Sequence, residues 1–409
     1  MLKRLFFKII FLVSLKYIIN LVYNSYSLNY RGSDNMLRFL DAGESHGRAL
    51  TAIIEGIPSN IHIDIDFINK ELKRRQIGYG RGKRMAIEKD KVEIWSGIRA
   101  NKTTGNPITL IIYNKDYDNW KELIDKEVEY KDKIFVPRPG HGDLVGHIKY
   151  NTGDIRNVIE RTSARETAIR TAVGAMCKYI LKLLGIDIRS KIQSIGEIFD
   201  ENVDIYDNDV YREIEDSPLR CYNKKAEKNM MDEIDNCKKE GDTIGGSIYI
   251  SVKGMPVGIG SYTQWDRKLD ALLSYSIISV QGIKAIEFGE GLDLSKRGST
   301  FNDEIYYDED NIKRKSNNAG GIEAGVSNGE DIVIKAYMKP IPSIKKPIKT
   351  INLKEKTNVE NRYERSDVCG VVPASIVLEN VCAFEILKEV LNTYPCDDFN
   401  MLKKYMREM

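Results

Sequence analysis

The sequence lacks three things that would point to common classes of protein: an excess of one charge, a framework of cysteines and a large number of histidines. Its 62 Lys and Arg residues nearly balance its 60 Asp and Glu residues, so bulk charge gives no case for a nucleic-acid partner. The six cysteines are scattered without a C-x-x-C pair, which excludes the usual spacing of zinc ligands and makes a disulfide framework unusual in a chain this long. We therefore expect free thiols in a reducing compartment and no metal site.

What is present fits a globular protein. Of the 409 residues, 42% are hydrophobic and 30% are charged, which is typical of a soluble chain rather than of a disordered or membrane one. That length allows one large domain or two to three ordinary ones. Because no internal repeat and no clean linker follow position 35, we predict one compact domain over residues 36–409 and no membrane partner.

Residues 1–35 are of a different kind. The first 22 residues carry four basic side chains within an apolar run, a pattern that resembles a signal peptide or a short membrane anchor. Lys8 and Lys16 interrupt the apolar core, however, and no A-x-A-type cleavage site follows. The codons just before Met36 could also form a purine-rich stretch that resembles a bacterial ribosome-binding site. We therefore hypothesise that Met36 is the true start and that 1–35 is a mis-assigned extension, with a targeting segment as the alternative.

From Met36 onward the hydrophobic pattern is that of a mixed α/β chain. Short apolar runs predict strands at residues 37–40, 50–54, 92–95, 108–112, 244–252 and 331–338. Apolar residues at helical spacing predict a helix capped by Asp66, a long helix over 154–184 and a closing helix over 374–391. Residues 202–240 are rich in Asp, Glu and Lys and are predicted to form a solvated peripheral helical segment, and residues 302–318 are predicted to form a loop.

Two of the four histidines lie on turns framed by glycine. His46 lies in GESHG and His141 in PRPGHGD, whereas His62 and His147 occupy positions that favour a structural role. Glycine lets a backbone turn tightly and approach a ligand closely, and proline fixes φ on the entry side. A histidine on such a turn can act as a general acid or base near neutral pH.

The segment GESHG also matches G-x-S-x-G, the nucleophile elbow of serine hydrolases, with Ser45 as the nucleophile. That elbow requires a strand, a sharp turn and then a helix. Here the residues that follow are predicted to form a strand, and the motif lies at the beginning of the fold. A serine hydrolase is therefore a weak alternative.

Positive charge is concentrated locally rather than in bulk. Arginines occur among glycines and prolines, or beside hydroxyl residues, at several separate places: Arg75, Arg81, Arg84, Arg138 and Arg165. An arginine fork binds phosphate and carboxylate oxygens with two parallel hydrogen bonds, and flexible glycines allow several forks to converge. A solvated basic face is the better interpretation for Lys73 and Arg74 alone. The whole pattern favours a small substrate that carries phosphate and carboxylate groups.

Taken in order, the motifs resemble those of the chorismate synthase family from Met36 to about Leu391. The matching segments are GESHG at 43–47, RRQ at 74–76, GYGRG at 78–82, PRPGH at 137–141, ERTSARET at 160–167, QWDRKLD at 264–270, NNAGG at 317–321, MKPIP at 338–342 and RSD at 365–367. One motif alone would be weak evidence, whereas this set in this order is specific. Bacterial members typically begin a few residues before the GESHG turn, which supports Met36 as the start.

The resemblance implies an α+β fold, a single-domain β-α-β sandwich, that assembles as a homotetramer in the cytoplasm. It implies a lyase that converts 5-enolpyruvylshikimate 3-phosphate to chorismate and phosphate by anti-1,4-elimination, the last step of the shikimate pathway towards the aromatic amino acids. The cofactor would be reduced FMN, with no net redox change. Because no segment resembles a flavin reductase domain, we expect an external flavin reductase, with NADPH as a candidate source of electrons.

The resemblance also assigns roles to residues. His46 looks like the acid that assists the departing phosphate, His141 like the proton donor to the reduced flavin, and Asp367 like the group that helps a proton leave C6. The substrate anions would be held by Arg75, Arg81, Arg84, Arg138 and Arg165. The flavin would contact Arg161, Thr162, Ser163, Gln281, Gly282, Ala324, Lys339, Pro340, Ile341, Pro342, Ser343 and Arg365.

The sequence departs from the family pattern at a few of these positions. Thr162 stands where many members have serine and keeps the hydroxyl. Gln281 and Gly282 replace the usual Asn-Ala, and Ala324 replaces a common glycine. Besides the hydrolase, a phosphoanion-binding module without turnover is the non-enzymatic alternative.

Overall fold

A computed structural model of the chain describes residues 37–82, 88–126, 129 and 132–407. Its strands are β1 Arg38–Ala42, β2 Ala49–Glu55, β3 Glu93–Ile94, β4 Ile98–Arg99, β5 Lys102–Thr103, β6 Ile108–Tyr113, β7 Asp187–Ile195, β8 Ile198–Phe199, β9 Gly246–Lys253, β10 Ile283–Phe288, β11 Ile305–Asp308, β12 Asn311–Arg314, β13 Ile322–Glu323, β14 Val326–Ser327, β15 Ile332–Met338, β16 Lys349–Asn352 and β17 Thr357–Glu360. Its helices are α1 Ile65–Gln76, α2 Tyr117–Asp125, α3 Asp143–Tyr150, α4 Arg156–Thr162, α5 Thr167–Leu183, α6 Asn208–Asp216, α7 Lys224–Glu240, α8 Leu269–Ile278, α9 Gly298–Phe301, α10 Val371–Thr393 and α11 Phe399–Arg407.

One sheet is built from the first part of the chain. Strands β1, β2, β6 and β3 lie in that order, and each neighbouring pair is antiparallel. Along β2, Leu50, Ala52 and Ile54 are buried while the residues between them are at least partly exposed, so the period of two defines an inner face. Helix α5 packs against this sheet through β2 and β6.

A second antiparallel sheet has the strand order β10, β15, β9, β7 and β8. Its inner strands bury Ile188 and Ile192 of β7, Ile250 of β9 and Ile334 of β15. Helix α10 packs against this sheet through β7 and β9.

Helices α5 and α10 lie against each other between the two sheets. A Cβ atom at Gly174 of α5 would lie 2.1 Å from the backbone oxygen of Asn380 in α10, so only glycine allows this close approach. Nearly every residue of α10 is buried, as expected for a helix with neighbours on all sides. The layers are sheet, helices and sheet, which confirms the predicted α+β sandwich.

Residues Leu37–Met409 form a compact unit of their own. The predicted extension 1–35 and the predicted start at Met36 lie outside the described residues and stay predictions. Among the described residues, no helix is long and apolar enough to cross a membrane.

The prediction of one helix over 154–184 was wrong. Helix α4 ends at Thr162, Ser163 is extended with ψ 140°, and a short 3-10 turn at Ala164–Glu166 precedes α5. The Ser163 hydroxyl accepts a hydrogen bond from the backbone N–H of Arg165, so a local side-chain bond replaces a helical one. The polar run at 160–167 therefore contains the turn, at 163–166, between two helices.

Three smaller predictions need correction. The cap of α1 is Asp64 rather than Asp66, because the Asp64 carboxylate accepts from the backbone N–H groups of Asp66 and Phe67. Residues 302–318 contain the exposed hairpin β11–β12 rather than only a loop. Strand β7 was missed, since its Lys191 is a charged residue buried by an ion pair with Asp200 and breaks the apolar pattern.

The segment 202–240 is not merely a solvated face. Its Arg220 is fully buried and pairs with Glu215 and with Glu379 of α10. Arg74 of α1 and Lys178 of α5 also contact Glu379. Burial alone would raise the pKa of Glu379, but the three surrounding cations hold it well below its usual value. Most of the other charges in the segment are exposed and lie on helices α6 and α7, as predicted, so the correction concerns the buried pairing of Arg220.

Candidate active site

The His46 turn joins β1 to β2 and is fastened to α4. Gly43 has φ +115°, and a Cβ atom there would lie 2.4 Å from the backbone oxygen of Ala49, so the turn requires glycine. The backbone N–H of Ser45 donates to the oxygen of Glu160 at 3.0 Å. The Ser45 hydroxyl donates to that of Ser163 at 3.1 Å. The side chain of His46, the next residue, therefore lies against the last turn of α4.

The His46 ring is held on an edge and on a face. Its Nδ1 lies 2.9 Å from one carboxylate oxygen of Glu160, and its backbone N–H donates to the other at 2.8 Å. The Trp120 ring of α2 stacks on the imidazole, with centroids 4.0 Å apart and planes inclined by 26°. The side chain of His46 is 14% exposed and that of Glu160 is 5% exposed, so little water competes for these contacts.

The His141 turn precedes α3. Its Nδ1 lies 2.6 Å from Asp143, whose carboxylate also accepts from the backbone and side chain of Arg138. Arg138 Nη2 lies 3.2 Å from both ring nitrogens of His141, and Nη1 donates to Ser343 at 2.8 Å. Burial alone would raise the pKa of Asp143, but hydrogen bonds from His141 and Arg138 hold it well below its usual value.

The two turns contact neighbouring residues at the end of α4. A Cβ atom at Gly142 would lie 2.9 Å from a side-chain carbon of Thr162, which shows how closely the His141 turn approaches. Ser45, next to His46, bonds Ser163. Both predicted acid–base residues are therefore brought to one end of one helix.

Arg75 of α1 and Arg165 of the 3-10 turn meet at a shared carboxylate. Arg165 donates to both oxygens of Asp90, at 2.7 and 2.8 Å, and Arg75 Nη1 lies 3.5 Å from the same group. Arg75 also donates to Thr167 at 2.9 Å. Burial is the main cause that lowers the pKa of Arg75 to about 10; Arg165 and Arg81 act in the same direction and Asp90 opposes them.

Arg81 is paired with Asp367, a predicted catalytic residue far away in sequence. The Arg81 Nη1 to Asp367 Oδ2 distance is 2.7 Å, and the N–H of Gly82 donates to Oδ1 at 2.6 Å. Burial lowers the pKa of Arg81, although Asp367 opposes that shift. Arg84, the fifth predicted substrate arginine, lies outside the described residues.

These arginines keep nitrogen atoms that are not used for hydrogen bonds. In the described part of the chain, Arg75 Nη1, Arg165 Nη2 and Arg81 Nε are buried and have no hydrogen-bond acceptor. By contrast, each of the three guanidinium nitrogens of Arg138 has a contact with Asp143, Ser343 or His141. We name Arg75, Arg81 and Arg165 the arginine cradle.

Several of the predicted flavin-binding residues are linked to these turns. Lys339 donates to the backbone oxygen of Gly140 at 2.6 Å, and its own N–H donates to Gly282 at 2.9 Å. Pro342 lies beside Gly140, since a Cβ atom at that glycine would be 3.5 Å from the proline Cβ. Ile341 accepts a hydrogen bond from Thr243. The segment 339–343 therefore runs along the His141 turn.

Other predicted flavin contacts lie around α4 and the 3-10 turn. Arg161 donates to Asp41 at 2.9 Å, and the Thr162 hydroxyl donates to the backbone of Val158. Gln281 donates to Glu166 at 2.9 Å. The Arg365 guanidinium lies 3.9 Å from Asp116 and is about half exposed.

Ala324 is not brought to this group in the single chain. It lies with φ +52° in the turn between β13 and β14, and the adjoining Gly325 accepts a hydrogen bond from Leu269 at the start of α8. Gln281 follows the other end of α8, and ten helical residues span about 15 Å. The glycine-to-alanine departure seen in the sequence therefore falls at a position remote from the two histidine turns.

The remaining histidines take no part in this cluster. His147 lies on α3 and its Nδ1 is 3.1 Å from the Thr152 hydroxyl. His62 forms an isolated β-bridge with Lys102. The structure does not support the hydrolase hypothesis. The GESHG turn leads into strand β2 rather than a helix, and Ser45 is only 2% exposed.

Sequence reasoning missed the acidic residues and the aromatic ring that hold the site. Glu160 was part of a quoted motif but was given no role, and Asp90, Asp143 and Trp120 were not singled out. A usable signal existed for Asp143, which lies two residues after His141. For Asp90 and Trp120 the sequence offers no local signal.

Comparison with known proteins gives a consistent answer. The family model described as chorismate synthase matches residues 37–391. The chain is 63% identical to the chorismate synthase of Clostridium tetani over 90% of this chain and 96% of that protein. It is 52% identical to that of Alkaliphilus oremlandii over 91% of this chain and 98% of that protein. A crystal structure of a chorismate synthase matches with a TM-score of 0.71 and 36% identity, over 91% of this chain and 98% of that one.

Proposed function

This chain belongs to the chorismate synthase family and converts 5-enolpyruvylshikimate 3-phosphate to chorismate and phosphate, and we propose that it does so with reduced FMN and with His46, His141 and Asp367 as catalytic residues. The family predicted from the motifs is thus confirmed. Membership of the family makes the protein a lyase of the shikimate pathway and implies a flavin cofactor. The identity of the flavin, its redox state and the role of each residue are our proposals.

The observation that carries the proposal is the arginine cradle. Among the described residues Arg81 Nε has no hydrogen-bond acceptor, and an unsatisfied buried donor costs about 1–3 kcal/mol unless a ligand bonds it. Arg75 Nη1 and Arg165 Nη2 also make no hydrogen bond, although carboxylate oxygens of Asp90 and Glu88 lie 3.5 and 3.7 Å away, so both nitrogens can still donate to a ligand. Guanidinium forks suit phosphate and carboxylate oxygens, which are the anionic groups of this substrate. We propose that Arg75, Arg81 and Arg165 hold those groups, together with Arg84 and Arg138.

The residues present also fit a flavin. Gln281 Oε1 is a buried oxygen that accepts no hydrogen bond from the described residues, so it is able to accept one from a ligand N–H. Arg161, Lys339 and Arg365 supply cations for a phosphorylated tail. Thr162, Ser163, Gly282 and the segment 340–343 would complete the contacts, whereas the contribution of Ala324 has no support from the single chain. A bound reduced flavin would supply electron density transiently to the substrate.

We propose the following roles for the chain's own residues, from the resemblance and in keeping with their contacts. The C3–O bond breaks and the C6–H bond breaks, so an anion must be expelled and a proton removed. His46 delivers a proton to the departing phosphate while the cradle neutralises its charge. Asp367, anchored by Arg81 and Gly82, assists loss of the C6 proton. His141 holds a proton for the flavin ring, and Asp143 fixes the orientation of that imidazole.

Assembly and flavin supply are further parts of the proposal. We expect a homotetramer in the cytoplasm that receives reduced FMN from a separate reductase, with NADPH as the electron source. The support is the resemblance of the motifs, which carries these family properties.

An anaerobic assay tests the function. Substrate is mixed with the protein and photoreduced FMN, and chorismate absorbance and phosphate release are followed. We expect equal amounts of both products with reduced FMN and none with oxidised FMN. Binding without products would instead favour a phosphoanion-binding module. Covalent labelling of Ser45 by a fluorophosphonate, with flavin-independent turnover, would favour the hydrolase.

A further inference from the structure

We propose that Glu160 is a positioning residue that keeps the proton of neutral His46 on Nδ1, so that Nε2 is the nitrogen that takes up and delivers a proton. This inference rests on the proposed role of His46. It concerns a carboxylate to which the resemblance assigned no role.

The first argument is the use of both carboxylate oxygens. Oε2 of Glu160 accepts from the backbone N–H of His46 at 2.8 Å, and Oε1 lies 2.9 Å from Nδ1. An ionised carboxylate can only accept hydrogen bonds, so Nδ1 must carry a hydrogen. In a neutral ring, Nε2 then has a free lone pair.

The second argument is that the ring has little freedom to escape this bond. Trp120 covers one face of the imidazole at a centroid distance of 4.0 Å. The backbone of Ser45 is tied to the backbone of Glu160 at 3.0 Å, so turn and helix are fixed relative to each other. With the Glu160 carboxylate 5% exposed, water is a weak competitor for Nδ1.

Substitution of Glu160 by glutamine separates a purely structural role from control of the tautomer. The glutamine oxygen can still accept the backbone N–H of His46 and preserve the turn. Its amide group would then face Nδ1 as a donor, and the ring could accept that bond only with its proton on Nε2. Glu160→Gln should therefore keep the fold but reverse the tautomer. The same substitution also removes the negative charge that compensates a protonated ring.

The direct test is 15N nuclear magnetic resonance of protein labelled on histidine, without flavin or substrate. With four histidines in the chain, the His46 signals are identified by their loss in His46→Ala. We expect the wild-type neutral ring to carry its proton on Nδ1 and the Glu160→Gln ring to carry it on Nε2. A wild-type His46 with its proton on Nε2 would overturn the proposal without any substitution at Glu160.

Turnover provides the second readout. Glu160→Gln should lower kcat about 10- to 100-fold, as expected for partial loss of a general acid, and should change KM by less than about threefold. In the His46→Ala background the same substitution should cause no further loss, because Glu160 acts through His46. An equal loss in both backgrounds would contradict a positioning role.

A matched control is Glu385→Gln. Glu385 of α10 is also buried and accepts from Ser276 at 2.8 Å, but it belongs to no part of the site. It should leave kcat and the His46 tautomer unchanged. A reversed tautomer in Glu160→Gln with full activity would support the positioning geometry and refute the proposed role of His46, so the two ideas can fail separately.

Discussion

Both histidine turns place a buried carboxylate beside the imidazole, but only in the His141 turn is that carboxylate shared with an arginine. In each, ring Nδ1 faces a buried carboxylate, Glu160 at 2.9 Å for His46 and Asp143 at 2.6 Å for His141. The hydrogen bonds that the described residues donate to the Glu160 carboxylate all come from His46. The Asp143 carboxylate is shared with Arg138, which donates three hydrogen bonds to it.

This difference affects how well each carboxylate can compensate a positive charge on its imidazole. A carboxylate that serves one imidazole can compensate a full positive charge on it, which suits a residue that carries a proton to a leaving anion. A carboxylate already balanced by a guanidinium offers less compensation but holds the ring firmly. We infer that the His46 turn favours delivery of a proton to a leaving anion, and that the His141 turn fixes more firmly the ring proposed to hold a proton for the flavin.

The largest effect should come from removing the rings themselves. We expect His46→Ala and His141→Ala each to lower kcat, within about 10²- to 10⁴-fold for loss of an acid–base group, with the fold intact by circular dichroism. Affinity should separate them: FMN binding should weaken in His141→Ala and be retained in His46→Ala. Unchanged turnover in both variants would remove the two residues from the mechanism.

Removing the charge of each carboxylate should lower the stability of the protein more at the His141 turn than at the His46 turn. Asp143→Asn leaves the buried Arg138 without its partner and should lower the free energy of unfolding by about 3–5 kcal/mol. Glu160→Gln can keep its bond to the His46 backbone and should cost less, about 1–3 kcal/mol. Urea unfolding of both variants measures this. A larger loss of unfolding free energy in Glu160→Gln than in Asp143→Asn would contradict the difference proposed between the two turns.

Acid should erase the contribution of Asp143. Because the pKa of Asp143 is held below its usual value in the folded protein, its contribution is full above the unfolded value of about 3.9 and is lost as pH falls towards the folded value. The stability difference between wild type and Asp143→Asn should therefore shrink as pH falls below about 4. A difference that grows below about pH 4 would contradict the assigned shift.

The smallest effect should come from the aromatic cover of His46. Stacked aromatic pairs contribute about 0.5–1.5 kcal/mol, so Trp120→Leu should lower kcat roughly 3- to 10-fold. Among the described residues, no aromatic ring stacks on His141. FMN affinity should stay unchanged in Trp120→Leu, and a loss of flavin binding would show that Trp120 serves the other turn.

Much of the site could be predicted because its turns leave a local mark. Glycine and proline around His46 and His141, and arginines among glycines, are visible in a single sequence. The resemblance then supplied the order of the motifs and the fold. Strands β2, β6, β9 and β15 and the closing helix were predicted because their apolar periods are clear.

What could not be predicted depends on contacts between distant segments. Glu160 lies 114 residues from His46, and Asp90 lies 75 residues from Arg165. Lys191 and Arg220 are buried charges, and only the fold shows the carboxylates that compensate them. The break at Ser163 was missed for a different reason, because a local side-chain hydrogen bond ends a helix that the apolar pattern would have continued.

The most direct measurement is a crystal structure of the complex with substrate and oxidised FMN, in which turnover is not expected. Our account predicts that the phosphate of the substrate lies within hydrogen-bond distance of His46 Nε2 and the cradle nitrogens, with His141 against the flavin. A phosphate bound to His141 instead, or two imidazoles that face separate pockets, would contradict it.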